Sequence, residues 1–384
     1  MSSRISYDFI IAGMGCAGLS MAMQLISSKV KFDKVLLIDK DLKNKNDRTW
    51  CFWTKEKNNW YNNIIFNKWD SFIFKSNNFE KKIKLSPYFY CMIKGIDFYS
   101  FCIGVIKKDH RFDVITDSII DIKSENNLGI LTCSNQTYQS KLIFNSALRT
   151  QKIKSNHVNY LQHFKGWLIK TSEYDFDTNN PIFMDFSVDQ KNDCRFVYII
   201  PQNKNQALIE YTGFSPNTID DDEYNYELNN YIKNNLSIKT YQIIETEKGS
   251  IPMAESKFTN EFGKNIVNIG TAGGNSKPST GFTFYFIQKN CQKIISQLEK
   301  NKNKIIASSR SKKYLFYDSV LLNVMNDKKI SSKKIFIDLF KKNSPVNLLA
   351  FLNEETSFVK DLKIMNSVEK LVFIKSAFKI ILKH

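Results

Sequence analysis

Tyr7-Asp8-Phe9-Ile10-Ile11-Ala12, followed by Gly13-Met14-Gly15-Cys16-Ala17-Gly18 and then Leu19-Ser20-Met21-Ala22-Met23-Gln24-Leu25-Ile26, sets the architecture of this chain. The first six residues read as a strand buried on both faces, and the last eight carry helical spacing. Val35-Leu36-Leu37-Ile38 is a second such strand, ending in Asp39. A glycine pattern alone says little. Between a strand and a helix, with an acid closing the next strand, it is the dinucleotide-binding fingerprint. Gly13 allows the tight turn, Gly15 lets the backbone approach a pyrophosphate, and Gly18 lets the helix pack closely on the strand. The helix N-terminus turns free N–H groups and the positive end of its dipole toward phosphates. Asp39 is the expected acceptor for the adenosine ribose hydroxyls. The plainer alternative is a glycine-rich turn that binds nothing. Arg4 before an apolar run could suggest a secretion signal, but the interrupting glycines and the acid-ended strand fit a cofactor fold better.

Composition narrows the class. At 384 residues the chain has room for two or three structural units of roughly 100–200 residues each. No apolar run approaches a membrane span. Seven cysteines (Cys16, Cys51, Cys91, Cys102, Cys133, Cys194 and Cys291) are scattered and never form C-x-x-C. That pattern suits a reduced, cytoplasmic chain without disulfides or zinc. His110, His157, His163 and His384 show no ligand spacing, so no metal is expected. The formal charge of +17 comes from Lys far more than Arg, alongside abundant Asn and Ile. This pattern fits an A+T-rich coding bias. No nucleic-acid module is recognisable, so nucleic acid is not an expected partner. An anionic membrane surface is the better match for Lys-rich faces.

Along the chain, residues 54–82 read as irregular structure leading into short strands. Lys141-Leu142-Ile143-Phe144-Asn145-Ser146 reads as a further strand of the dinucleotide sheet. From about 152 to 245 aromatic-rich alternation takes over, as in Phe183-Met184-Asp185-Phe186, Phe196–Ile200 and Ala207–Thr212. These predict an antiparallel sheet. Asp220 to Tyr231 has an acidic start and helical spacing, and the chain from 301 reads as helical and basic.

A second cofactor element lies far downstream. Ile266-Val267-Asn268-Ile269 is a strand, followed by Gly270-Thr271-Ala272-Gly273-Gly274, then Pro278-Ser279-Thr280-Gly281 and a helix from Phe282. Such a turn can offer backbone N–H groups to a second phosphate or to a flavin ring. A nicotinamide-dependent dehydrogenase has no need of it, whereas an extended FAD would run from the first turn to this one. The alternative is an unrelated strand–turn–helix. The expected fold is therefore α/β, a Rossmann-like FAD/NAD(P)-binding fold of the glutathione-reductase-like two-domain flavoprotein class. It divides into an FAD-binding domain (1–150 and 245–300), a substrate-binding antiparallel β-sheet domain (151–244) and a helical C-terminal region (301–384).

Four blocks together resemble the lycopene cyclases of the bacterial and plant β-cyclase type. They are Asp47-Arg48-Thr49-Trp50-Cys51-Phe52-Trp53; Arg195–Pro201 running on to Ala207–Thr212; Gly249-Ser250-Ile251-Pro252-Met253; and Ile269–Gly274 with Lys277–Phe284. Many relatives carry an acidic pair where this chain has Glu210-Tyr211, and the C-terminal third matches loosely. The resemblance implies acid-catalysed cyclisation of the ψ-ends of lycopene to β-ionone rings, without net redox change. It implies reduced FAD with NAD(P)H as its reductant, a contact from Arg48 to FAD phosphate or ribose, and Glu210 as the acid. Burial would raise the pKa of Glu210 and keep it protonated near neutrality; the alternative is an edge-strand Glu facing water. Asp185 is a second candidate, positioning Glu210 or relaying protons, or else a turn or surface Asp.

A C40 polyene must be taken from a bilayer, so peripheral membrane association is expected. Leu371–Lys383 mixes apolar residues with Lys and could lie in the interface or pack on the body with Lys reaching water. Two other readings remain open: an FAD-dependent monooxygenase or isoprenoid reductase on the same fold, and a non-catalytic flavin-binding relic.

Overall fold

In the computed structural model, residues 4–147, 159–254, 263–302, 305 and 310–382 are described. His157, Lys383, His384 and the expected division at 150/151 fall outside them. β1 (Ile5–Ala12) pairs in parallel with β2 (Val35–Asp39) on one side and β11 (Thr137–Asn145) on the other. β8 (Phe112–Thr116) continues the parallel sheet beyond β2. The far edge of β11 is shared. Its first half pairs antiparallel with β10 (Leu128–Cys133), itself paired to β9 (Ile119–Glu125). Its last three residues pair in parallel with β17 (Ile266–Asn268). The strand downstream of residue 265 therefore returns to the same sheet, one strand removed from β1 across β11.

Helices α1 (Cys16–Ile26), α2 (Gly95–Ile106) and α4 (Phe284–Glu299) cover one face of this sheet. Leu19, Phe98, Ile287 and Ile294 pack there with Phe9 and Ile11. On the other face Ile10, Leu36 and Ile143 meet Ile122 and Leu131 of the β9–β10 hairpin.

The second sheet runs β16–β12–β15–β14–β13–β5–β6. Its strands are β16 (Gln242–Ala254), β12 (Asn159–Lys170), β15 (Gln206–Ser215), β14 (Cys194–Asn203), β13 (Ile182–Asp185), β5 (Ser71–Ser76) and β6 (Phe79–Lys84). The expected antiparallel strands are present. The expected boundaries need correction, because β5 and β6 come from the first 150 residues and β16 extends to Ala254. Backbone pairing overrides sequence order here: β5 docks in parallel on β13, Ile73 against Ile182. A small third sheet, β3 (Thr49–Thr54), β7 (Phe89–Lys94) and β4 (Asn67–Trp69), stands at the junction.

One face of the second sheet is covered by α3 (Asp221–Asn230) and the π-helical turn after it, Tyr231–Asn235. On the other face, Phe72, Phe74, Phe183 and Phe186 pack against the C-terminal helices. Those are α5 (Lys312–Asp327), α6 (Ser332–Lys342), α7 (Pro345–Leu352) and α8 (Phe358–Met365), while α9 (Lys370–Ile381) packs on α5 instead. The inner part of that face, toward the parallel sheet, is left open.

Candidate active site

A cavity of about 410 Å³ occupies that opening, running from the β1–α1 turn past β3 to the inner strands of the second sheet. Gly13, Gly15, Ala17 and Asp39 line one end. Gly13 takes φ +104°, and a Cβ on Gly18 would stand 1.9 Å from the Gly13 carbonyl oxygen. Gly18 therefore serves the helix–turn contact and stays out of the cavity, while no atom stands within 4 Å of where a Gly15 Cβ would be. Asp39 accepts from the Met14 amide at 2.6 Å and the Asp41 amide at 3.1 Å, with Lys43 Nζ 3.6 Å away. This is a turn open at the one position where a pyrophosphate must approach.

Gly270, Thr271 and Gly281 line the next stretch, together with the start of α4. Gly270 and Gly281 both have positive φ, and a Cβ on Gly281 would fall 1.7 Å from Gln162 Oε1. That oxygen is buried without a hydrogen-bond partner, and an unpartnered acceptor at such depth is costly unless a ligand supplies the donor. Ala272, Gly273 and Pro278 stay out of the cavity lining. A Cβ on Gly273 would sit 2.3 Å from the Asn268 carbonyl oxygen, so this glycine lets the turn close on β17. The turn is tied by Asn275, which accepts from the Gly270 amide at 2.8 Å. The open Gly15, the narrow Gly270 and Gly281 passages and the orphaned Gln162 acceptor together fit an extended dinucleotide such as FAD.

Arg48 stands midway, lining the cavity and donating to the Lys248 carbonyl at 3.3 Å. Lys277, in the fourth block, points away from the cavity. It is buried against Asp318 at 2.9 Å and Glu354 at 3.1 Å, and Arg310 pairs with the same two carboxylates. The helical region is thereby fastened to the downstream turn.

The chemistry-bearing end is built by strand register. Tyr198 on β14 pairs with Glu210 on β15, Glu210 with Gly166 on β12, and Gly166 with Glu247 on β16. Directly paired residues point to the same face, so one row crosses four strands. Tyr198, Glu210 and Glu247 all line the cavity with Trp50, Tyr90, Phe164, Phe282 and Phe284. Glu210 keeps part of its surface open, and that part faces the cavity. The Thr212 hydroxyl donates to Glu210 Oε1 at 2.7 Å. Burial pushes the Glu210 carboxyl up to about 7 against hydrogen bonds from Thr212 and Glu247. Burial, then the Glu210 charge, holds Glu247 well above the carboxylate range despite a hydrogen bond from Thr49 and the nearby Arg48.

Asp185 is not part of this row. It pairs with Val197, whose neighbours Tyr211 and Tyr231 belong to the α3-covered face. Its carboxylate accepts from the Tyr231 hydroxyl at 2.7 Å and the Ser187 amide at 2.8 Å. Strict alternation from Phe183, which packs on the cavity side, would put Asp185 on that side as well; the register shift between Ile182 and Asp185 turns it to the opposite face and away from Glu210. Sequence reasoning missed Glu247, two residues ahead of the Gly249–Met253 block, and Gly166. A glycine inside a strand signals close approach of another group; its partners are set by pairing across the sheet.

Comparisons with known proteins agree with this layout. The model of the family described as "Lycopene cyclase protein" matches residues 8–378. A lycopene beta-cyclase from Pantoea ananas is 23% identical over 286 residues, 72% of this chain and 71% of that protein. Among solved structures, a geranylgeranyl bacteriochlorophyll reductase-like protein from Thermoplasma acidophilum is similar with a TM-score of 0.64 at 14% identity, covering 97% of this chain and 99% of its own. HpxO of Klebsiella pneumoniae, complexed with FAD and uric acid, is similar with a TM-score of 0.66 at 9% identity, covering 92% and 97%. At such identities the two structures speak for the fold alone.

Proposed function

This chain belongs to the lycopene cyclase protein family, and from that premise we propose that it is an FAD-dependent lycopene β-cyclase, closing the ψ-ends of lycopene into β-ionone rings. The observation that carries the reading is Glu210, a carboxyl with its pKa raised to about 7, opening beside aromatic rings onto a cavity continuous with the two glycine turns. The Gly13–Gly15 turn, the N-terminus of α1 and Asp39 would hold the adenosine and pyrophosphate, and Gly270, Thr271, Gly281 and Gln162 the flavin end. Bound FAD, kept reduced by NAD(P)H, would supply negative charge beside a developing cation, where a low dielectric strengthens the attraction.

The residues of the chain perform the rest. Glu210 delivers its proton to C2 of the terminal alkene, leaving a tertiary cation at C1. The C5=C6 bond attacks it, closing C1–C6, and loss of the C6 proton gives the β-ring. One proton enters and one leaves, so no electrons are consumed. Tyr90, Tyr198 and the Phe rings around the cavity stabilise the cation through their faces and exclude water that would otherwise trap it.

The substrate is an oil, so the reading includes peripheral attachment to a membrane. Leu371, Ile374, Phe378 and Ile381 form an exposed stripe along α9, interleaved with Lys375 and Lys379, as an interfacial helix would need. Among the described residues no helix is long and apolar enough to cross a membrane. The test is conversion of lycopene in vesicles by the FAD-loaded protein, with NAD(P)H consumption measured beside product. Rings formed in many-fold excess over NAD(P)H oxidised are expected. One NAD(P)H spent per product would make this a reductase or monooxygenase, and unchanged lycopene would overturn the reading.

A further inference from the structure

The row across the second sheet places two carboxyl groups where one would suffice for a simple acid. Glu210 and Glu247 lie on strands that are not neighbours; β12 runs between them, and the residue separating them is Gly166. Adjacent strands are about 4.8 Å apart, so the two backbones stand roughly twice that distance from each other. Any side chain at the intervening position would keep the carboxyls apart. A Cβ there would already lie 3.2 Å from Glu247 Cγ and 3.5 Å from Glu210 Cβ. With hydrogen in its place, the two side chains lean over the glycine and hydrogen-bond to each other.

We propose that Glu247 is a second functional carboxyl of this site, paired with Glu210 across Gly166, and that it acts by donating a hydrogen bond to the Glu210 carboxylate as that group gives up its proton. Glu247 thereby acts through Glu210, as a positioning and acid-strengthening residue. The inference rests on the cyclase reading for its substrate, though not for the pairing itself. In the step, the Glu210 O–H bond breaks while the alkene electron pair forms the new C2–H bond. The electrons left on Glu210 are spread over a carboxylate that keeps the Glu247 hydroxyl as donor. Glu247 retains its own proton throughout, and Glu210 is reprotonated when the C6 proton is released.

The surroundings leave Glu247 in this role. Arg48 acts on it as a cation, and Thr49 from β3 donates to it. Cys51 from β3, Tyr90 from β7, Tyr198 from β14 and Tyr224 from α3 act on Glu210 or are acted on by it, and all four have their own ionisation raised by burial. None of these four offers Glu210 a positive charge, so the hydrogen bonds of Thr212 and Glu247 are what offset its burial.

Two measurements test the pairing. Infrared titration of the holoprotein, with Glu210→Gln to identify the band, follows the Glu210 carboxyl without substrate. In Glu247→Leu the apparent pKa of Glu210 is expected to rise by about one to two units, the worth of a hydrogen bond to a charged group. Glu247→Gln, whose amide still donates, is expected to move it by less than half a unit. In lycopene turnover, Glu247→Leu is expected to lower kcat at least tenfold with KM little changed, its alkaline limb following the same shift, and Glu247→Gln to restore most of the rate. An unmoved Glu210 titration in Glu247→Leu, or an equal loss of rate in both variants with an unmoved pH profile, overturns the inference. A titration that shifts as expected in a protein that leaves lycopene unchanged overturns the cyclase reading and keeps the pair.

Discussion

The two faces of the second sheet are made by alternate residues of the same strands, yet they treat buried polar groups in opposite ways. On the α3-covered face His163 is held between the Tyr224 and Ser215 hydroxyls, and Asp185 between Tyr231 and Ser187. Arg195 on that face meets Glu223 and Asp193 through its terminal nitrogens, with Nε alone left unpartnered, and Lys165 meets Asn225. On the cavity face Gln162 keeps an unpartnered oxygen, and Glu210, held by the Thr212 hydroxyl, shares the cavity with a second carboxyl, Glu247, rather than with a cation. Satisfied polar groups anchor a helix to a sheet. Groups left short of partners are poised for a ligand or a proton transfer. One residue of displacement along a strand separates the two conditions.

That contrast can be broken most sharply at Glu210. Glu210→Gln is expected to lower lycopene turnover at least about a hundredfold, the usual worth of a general acid, while flavin absorbance stays with the protein. Loss of flavin together with activity would remove the distinction between acid and scaffold. Asp185→Asn should do the reverse. Removing the charge that holds Tyr231 is expected to cost about 2 kcal/mol in urea unfolding and leave turnover within about threefold. A large fall in kcat at unchanged stability would return Asp185 to the mechanism.

The faces should also pull stability in opposite directions with pH. Glu210 is raised in the folded chain, so between about 4.5 and 7 the folded state holds a proton that the unfolded state has released, and stability falls as pH rises. His163 is lowered to about 4 by burial and then Arg195, so between about 4 and 6.5 the unfolded state binds the extra proton and stability rises with pH. Replacing Glu210 by Gln removes the first contribution. The variant is expected to exceed the native chain by about 3 kcal/mol at pH 8 and to match it near pH 4; equal stability at both pH values would deny the burial of that carboxyl. The smallest effect is expected at Gly166. Gly166→Ala, whose methyl would press on Leu208 Cδ1 at 2.9 Å as well as on Glu247, should lower turnover about tenfold, some 1.4 kcal/mol, with the melting temperature nearly kept. Native kcat in this variant would mean that the carboxyls do not need the gap.

The parts legible in the sequence were those whose meaning is local. Strand, glycine turn, helix and Asp39 lie within forty residues of one another, and their geometry follows from neighbours along the chain. The downstream turn at 270–281 was equally readable, because glycines at positive φ leave a mark of their own. Other features depended on pairing between distant segments. Nothing near Ile73 announces that it will lie against Ile182, and nothing near Glu247 announces Glu210. Asp185 shows the same limit from the other side: an acid among aromatics resembles a catalytic group until the register shows which face it takes.

Lys277, Arg310, Asp318 and Glu354 come from three separate parts of the chain and neutralise one another out of reach of water. Such a clasp has to be inherited as a set. Deleting the last helices would strand an ammonium group beneath the downstream turn, and exchanging one member at a time would leave its opposite without a counter-charge. The helical end of this chain is thus a keystone, fixed at Arg310, Asp318 and Glu354 against Lys277.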